Sequence, residues 1–266
     1  MSDGFSTAWL DLRERFDAAA RNISLLARLA AWRGDRRRLQ VIDLGAGTGA
    51  NLRRTAPALG GAQSWTLVER DAGLVRAGSA RLEGHGAAWT YRQLDLALEL
   101  EALGDGPCDL LTASALLDLV SAEWLGRLAR LRRQTGAALY VALTFDGRIE
   151  WEPVDSFDAQ AIFLVNQHQR TDKGFGPALG PAAGGRLAQI LAEEGERVEV
   201  GRSDWTLLEG DVEIQAALLD GHACAARQIA PAESTEIARW SDRRRELLRK
   251  RSSRLRVGHL DLLMLP

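Results

Sequence analysis

The chain has 266 residues, of which 46% are hydrophobic, and 34 basic residues against 36 acidic ones leave a formal net charge of −2. This length is sufficient for one large domain with a full core, and the charge balance lacks the basic excess of general nucleic-acid-binding proteins. Two cysteines support neither a disulfide framework nor a thiolate metal site. No apolar run approaches the roughly 20 residues that span a bilayer, and the N-terminus has no signal-peptide pattern, so we predict a soluble, cytoplasmic protein without a membrane partner.

Helices are predicted ahead of the first strand. Apolar residues recur at helical spacing over residues 5–16 and again over 23–32, which assigns residues 1–38 to an N-terminal helical cap. A short apolar run over residues 39–44 then predicts the first buried strand. It stops at three alternating glycines, Gly45, Gly47 and Gly49, which predict a turn that ordinary side chains would obstruct.

Strands and helices alternate after this turn. Helices are predicted over residues 50–59, 71–82 and 121–133, and strands over 65–68, 88–94, 108–113 and 136–145. Such alternation predicts a doubly wound α/β fold with a mostly parallel, seven-stranded sheet, because right-handed crossovers place helices on both faces. Residues 39–145 form the core of this fold.

The second half of the chain departs from that rhythm. Residues 146–185 form a polar segment too long for an ordinary connection, and we predict a substrate lid with glycine hinges at Gly174 and Gly176. Residues 186–266 are predicted to complete the sheet with an antiparallel last strand over 257–265, preceded by a helical insertion over 211–252. The whole chain is expected to form a single domain.

The glycine turn fits two classes of ligand. From Gly45 to Ala50 it matches the G-x-G-x-x-A dinucleotide fingerprint, with Glu69 near the position of a ribose-binding acid. With Asp43 included, it becomes D-x-G-x-G-x-G. A carboxylate at this position has no use beside an anionic pyrophosphate, whereas it suits a cationic sulfonium ligand.

The second alternative resembles motif I of the class I S-adenosylmethionine-dependent methyltransferases, and the resemblance covers residues 39–145. It implies S-adenosylmethionine as cofactor, S-adenosylhomocysteine as its product, and no metal. Glu69 matches the acid that binds both ribose hydroxyls in this family, and Asp95, followed by Leu96, matches the acid beside the adenine amino group. Residues 109–118 resemble motif IV, whose strand end lies beside the methionine part of the cofactor.

Most of the predicted cofactor-binding residues follow from this resemblance. Arg13, on the first helix, is a further candidate for the cofactor carboxylate, although a solvent-facing arginine is the more common outcome at such a position. The predicted set is Arg13, Asp43, Gly45, Ala46, Gly47, Gly49, Asn51, Glu69, Arg70, Asp95, Leu96, Ala113 and Ser114.

Two residues are candidates for catalysis. Methyl transfer requires that acceptor, methyl carbon and sulfur are held in line, and some acceptors also need a general base. Asp118, just past the fourth strand, is the first candidate, and a turn or capping residue is the plain alternative. His168, in the polar segment, is the second, and its alternative is an exposed loop histidine.

The resulting prediction is a methyltransferase that acts on a small polar metabolite. The basic segment 236–256, with nine basic and three acidic residues, leaves an RNA methyltransferase as an alternative, although nucleic acid is the less expected partner. A nicotinamide-dependent oxidoreductase and a non-catalytic binder of S-adenosylmethionine also remain open. The sequence makes no prediction of an oligomeric state.

Overall fold

An eight-stranded sheet organises residues 5–266, the part of the chain that this computed structural model describes. Residues 1–4 of the predicted N-terminal cap lie outside the described residues. The strands are β1 (Leu39–Leu44), β2 (Gln63–Glu69), β3 (Ala88–Gln93), β4 (Leu110–Ser114), β5 (Ala138–Glu152), β6 (Val198–Arg202), β7 (Trp205–Leu207) and β8 (Arg254–Met264).

The strand order confirms the doubly wound prediction. Neighbouring strands follow β3-β2-β1-β4-β5-β8-β6, and β7 also pairs with β8. Strands β1 to β5 are parallel to one another, whereas β8 is antiparallel to β5, β6 and β7. The antiparallel last strand is therefore confirmed. The sheet has one strand more than the predicted seven, because the short β7 extends the edge beside β8.

Ten α-helices surround the sheet within the described residues. They are α1 (Thr7–Ala20), α2 (Ile23–Arg33), α3 (Ala50–Leu59), α4 (Ala72–Leu82), α5 (Leu96–Glu99), α6 (Ala122–Thr135), α7 (Asp158–His168), α8 (Ala183–Glu193), α9 (Val212–Ile229) and α10 (Ser234–Arg249). Several begin where a polar side chain accepts from a free backbone N–H, as Asp71 does for α4 and Ser121 for α6. Between residues 5 and 266, no helix is both long and apolar enough to cross a membrane.

The core has three parts. One lies on the sheet face covered by α6 and α8, and the second on the face covered by α2 and α3. The third joins the far ends of β5 and β8 to α7, α9 and α10, and it includes Trp151, Trp205 and Trp240. This third cluster gives the helical insertion a buried apolar face, and α9 packs against both α7 and α10.

Strand β5 is longer than predicted. It continues past Phe145 to Glu152 and pairs with β8 along this extension, from Ile149 opposite Val257 to Glu152 opposite Arg254. The predicted lid segment is therefore only partly irregular. Its first residues extend β5, residues 158–168 form α7, and residues 169–179 are the irregular connection before the short helical turn at 180–182.

Candidate functional site

A cavity of about 790 Å³ lies at the carboxyl edge of the parallel strands. Its walls come from the turn after β1, the ends of β2 and β4, helix α1, and residues 172–175 of the connection after α7. Strand order reverses between β1 and β4, so the cavity occupies the crevice where doubly wound sheets bind their ligands. The volume lies within the range of pockets that enclose small molecules.

The glycine turn brings the backbone to the cavity surface. Gly45, Gly47 and Gly49 have φ values of +67°, +54° and +80°, which side chains other than glycine rarely adopt. A Cβ atom at Gly49 would also lie 2.8 Å from Cδ1 of Leu82. The backbone conformation therefore favours glycine at these three positions, and without side chains there the turn allows a ligand to approach the main chain closely.

Two carboxylates flank this turn. Glu69, at the end of β2, accepts from the Gly47 N–H at 3.0 Å and from the Asp71 N–H at 2.9 Å. Asp95, just past the neighbouring β3, caps α5 by accepting from the Ala97 N–H at 2.9 Å. Because β2 and β3 are adjacent and parallel, both acids lie on the same wall of the cavity.

Asp43 lies beneath the turn instead of in the cavity. It is 0% exposed, and its Oδ1 atom accepts from Nδ2 of Asn51 at 2.7 Å while Oδ2 has no partner. Burial raises the pKa of Asp43 to about 7, against the hydrogen bond from Asn51 and the charge of Arg21. Asp43 is therefore buried behind the cavity wall and does not itself line the cavity.

Asn51 links Asp43 to an arginine that sequence reasoning missed. The Oδ1 atom of Asn51 accepts from Nη2 of Arg21 at 3.0 Å, and the same nitrogen donates to Oγ of Ser114, also at 3.0 Å. Arg21 stands between α1 and α2 and is only 4% exposed. No motif marks it, because its position depends on how the helix pair packs against the sheet edge.

The lining offers hydrogen-bond acceptors that suit a nucleoside better than a pyrophosphate. Carboxylates at the ends of β2 and β3 can accept from ribose hydroxyls and an exocyclic amine, and the glycine turn permits close approach. A pyrophosphate would instead place its negative charge beside Glu69, Asp71 and Asp95, which all line the cavity. Over residues 5–266, no group of three or more histidine, cysteine or acidic side chains could hold a metal ion.

The chain was compared with protein-family models, curated proteins and solved structures. No protein-family model and no curated protein matches the chain. Among solved structures, cyclopropane synthase MmaA2 from Mycobacterium tuberculosis is similar over 91% of this chain and 83% of its own, with a TM-score of 0.50 and 12% identity. Mycolic acid cyclopropane synthase CmaA1, solved with S-adenosylhomocysteine and CTAB, gives the same four values. The chain has the fold of the class I S-adenosylmethionine-dependent methyltransferases.

The likeness to these two cyclopropane synthases shows the fold and not the substrate, since sequence identity is low. Within that fold, most of the predicted cofactor-binding residues face the cavity. Those that line it are Arg13, Gly45, Ala46, Gly47, Asn51, Glu69, Arg70, Asp95, Leu96 and Ser114. Asp43, Gly49 and Ala113 are not among the lining residues.

Arg13 reaches the cavity of this methyltransferase fold, but its guanidinium is already engaged. Nε and Nη2 donate to the two carboxylate oxygens of Asp17, at 2.9 and 3.1 Å. The guanidinium carbon also lies 5.0 Å from the ring centroid of Trp205. Both contacts hold Arg13 against α1 and β7, and Asp17 balances its charge.

Neither predicted catalytic residue lines the cavity of the methyltransferase fold. Asp118, in the turn after β4, is 8% exposed, and burial raises its pKa to about 6 against the charges of Arg13 and Lys173. His168 ends α7, where its Nε2 lies 2.7 Å from Oε1 of Gln228 and its Nδ1 lies 3.3 Å from Nζ of Lys173. Burial and the Lys173 charge lower the pKa of His168. Lys173 itself lines the cavity, and His168 lies behind it.

Proposed function

We propose that the protein is an S-adenosylmethionine-dependent methyltransferase that acts on a small polar metabolite. The observation that carries the proposal is the convergence of Glu69 and Asp95 with the glycine turn in one cavity at the switch in strand order. Acids at the ends of β2 and β3 are the groups that a ribose and an adenine amine require. The class I fold supports the same cofactor.

Each wall of the cavity has a part in holding that cofactor. Glu69 would accept from the ribose hydroxyls, Asp95 from the adenine amine, and the turn at Gly45 and Gly47 would face the amino-acid part. When bound, S-adenosylmethionine supplies a methyl group on a positively charged sulfur. The chain's contribution is to orient the two reactants and to exclude water from the space between them.

The connection after α7 supports a small acceptor. Phe175 lines the cavity, and its ring packs edge-on against Trp124 with centroids 5.7 Å apart. Asp172 accepts from the Gly174 N–H at 2.7 Å, and Asp172 and Pro177 form a β-bridge. These residues and α1 both contribute walls to the cavity, which favours a small acceptor over a polymer.

The basic segment 236–256 gives little support to an RNA substrate. Eight of its nine basic residues form salt bridges with acids of this chain, so most of the charge that would attract phosphates is balanced. The paired residues are Arg239, Arg243, Arg244, Arg245, Arg249, Lys250, Arg254 and Arg256.

The proposal is tested by offering the protein two fractions of a cell extract together with S-adenosylmethionine. We expect S-adenosylhomocysteine to form with the small-molecule fraction and not with purified RNA, with a methylated metabolite detected by mass spectrometry. Formation of S-adenosylhomocysteine with RNA alone would show that the substrate is RNA and not a small metabolite. Tight binding of the cofactor without product from either fraction would identify a non-catalytic binder and contradict the proposed activity.

A further inference from the structure

Lys173 is the one cation of the cavity wall that has no acidic partner among the described residues. Of the other two cations that line the cavity, Arg13 pairs with Asp17 at 2.9 Å. Arg70 lies 3.5 Å from Asp95. No carboxylate oxygen of residues 5–266 comes within 4.0 Å of Nζ of Lys173. A half-buried ammonium without a counter-ion is unfavourable, so this position suits an anion from outside the chain.

Two neutral side chains hold the Lys173 ammonium in place. Its Nζ atom lies 3.0 Å from Oγ1 of Thr171 and 3.3 Å from Nδ1 of His168. Nε2 of His168 lies 2.7 Å from Oε1 of Gln228. Because this amide oxygen can only accept, the ring carries its proton on Nε2, and Nδ1 accepts from Lys173. These contacts use two of the three N–H groups of the ammonium and leave one for a ligand.

The acids nearest to Lys173 do not replace such a ligand. Asp172 also lines the cavity, but its Oδ1 atom accepts from the Gly174 N–H at 2.7 Å. Burial lowers the pKa of Lys173, and the charge of Asp118 opposes this change without cancelling it. An anion beside Nζ would favour the charged form of the lysine.

The position of Lys173 favours the acceptor over the cofactor as the source of that anion. The sulfonium and the ammonium of S-adenosylmethionine are cations, and its nucleoside is proposed to lie against Glu69 and Asp95. Its carboxylate belongs to the amino-acid part, which would face the turn at Gly45 and Gly47. Lys173 comes from a separate element, the connection after α7, which lines the same cavity. An anionic group of the acceptor is the partner that remains.

We propose that Lys173, positioned by His168 and Thr171, binds an anionic group of the methyl acceptor, either a carboxylate or a phosphate. This inference rests on the proposed function, because it takes the cavity as the place where the acceptor meets S-adenosylmethionine. It narrows the small polar metabolite to an anionic one. His168 is a positioning residue that acts through Lys173.

The first test observes Lys173 directly and needs no known substrate. The chain contains only two lysines, and the other, Lys250, is exposed and paired with Glu246. Protein with isotope-labelled lysine therefore gives two side-chain NMR signals, which Lys250→Arg assigns. Acetate and inorganic phosphate are titrated as probes, with and without S-adenosylhomocysteine. We expect a saturable shift of the Lys173 signal that Lys250 does not show, and the tighter probe distinguishes a carboxylate from a phosphate.

The second test divides the small-molecule fraction of a cell extract on an anion-exchange resin. We expect S-adenosylhomocysteine to form with the retained compounds and not with the unretained ones. Lys173→Met should raise the amount of retained fraction that gives the half-maximal rate by about tenfold or more, because it removes a charged donor. Its affinity for S-adenosylhomocysteine should stay within about threefold of wild type. Lys173→Arg keeps the charge and should recover part of the loss, and Lys250→Met is the matched control without effect.

A double-mutant cycle isolates the part played by His168. His168→Ala should raise the half-maximal amount by less than Lys173→Met does, and it should have no further effect in the Lys173→Met background. Additive losses would show that His168 does not act through Lys173, and they would overturn its assignment as a positioning residue.

Three results would overturn the anion site itself. The Lys173 signal shifts no more than that of Lys250, product forms only from unretained compounds, or Lys173→Met weakens S-adenosylhomocysteine binding as much as it weakens use of the acceptor. The last result would assign the lysine to the cofactor. Absence of S-adenosylhomocysteine binding by wild type would instead remove the proposed function, and the titration of Lys173 without that ligand separates this failure from a failure of the anion site.

Discussion

Burial of Asp118 changes the pKa of its carboxyl group. It follows β4 on a short helical turn and accepts backbone hydrogen bonds, yet burial outweighs these and raises its pKa from 3.8 to about 6. Arg13 and Lys173, the cations that act on it from α1 and the connection after α7, oppose the rise.

The raised pKa of Asp118 predicts a pH-dependent stability difference. Between about pH 4 and pH 6 the folded protein retains a proton that the unfolded chain releases, so this group lowers stability as pH rises through that window. Asp118→Asn removes the effect. We expect the free energy of unfolding of the variant, measured with urea, to exceed that of wild type by roughly 2 kcal/mol at pH 8. The difference should become progressively smaller toward pH 4.

Asp105→Asn, in the exposed turn before β4, controls for loss of a carboxyl group. If Asp118→Asn is less stable than wild type at every pH, the ionised carboxylate is stabilised by the fold, and the assignment of a raised pKa is wrong.

At the scale of elements, helix α10 depends on one buried ion pair. Arg244 is 0% exposed, its Nη2 pairs with Asp158 at the start of α7, and its Nη1 donates to the Pro153 carbonyl at 2.6 Å. Trp240, one turn earlier, donates from Nε1 to the same Asp158 at 2.8 Å. These bonds join α10 to α7 and to the end of the β5 extension.

Arg244→Met should therefore destabilise the protein by about 3–5 kcal/mol, because it leaves the Asp158 carboxylate buried without its ion partner. The adjacent Arg245 pairs with Asp220 in solvent, with side chains 44% and 61% exposed. Arg245→Met should change stability by less than about 1 kcal/mol. Urea unfolding of both variants provides the measurement, and equal losses would contradict the structural role assigned to the buried pair.

The elements also show what sequence could and could not predict. Helix α3 and strand β1 end where they were predicted, because an apolar run and flanking glycines are local signals. The extension of β5 was missed, since Asp146 and Arg148 interrupt its apolar pattern. Arg148 bridges Asp146 and Asp204, and β8 pairs along the extension, so tertiary contacts override the local polarity.

Some residues of the candidate site could also be placed from the sequence, whereas others could not. Glu69 and Asp95 could be placed in one crevice from sequence, because the carboxyl ends of parallel strands meet at one edge. Arg21 could not, since its side chain reaches Ser114 and Asn51 only after α1 and α2 pack on the sheet. His168 was expected near the acceptor, whereas the structure places Lys173 at the cavity and His168 behind it.

At the scale of the whole molecule, charge is distributed in a way that fits a cationic nucleoside. The cavity's β2 and β3 side carries three acids, Glu69, Asp71 and Asp95, against one cation, Arg70, while its other cations come from α1 and the connection after α7. With a net charge of −2, the protein has no general attraction for polyanions. We propose that this side of the cavity binds the nucleoside of S-adenosylmethionine.

Calorimetric titration with S-adenosylhomocysteine and, in parallel, with NADH tests this assignment. Wild type should bind S-adenosylhomocysteine at one site per chain and give no saturable heat with NADH. Glu69→Gln should weaken binding about tenfold or more, because it removes the charge that accepts from the ribose hydroxyls, while Glu99→Gln, exposed on α5, should bind as wild type does. Saturable NADH binding, or unchanged S-adenosylhomocysteine affinity in Glu69→Gln, would contradict the account.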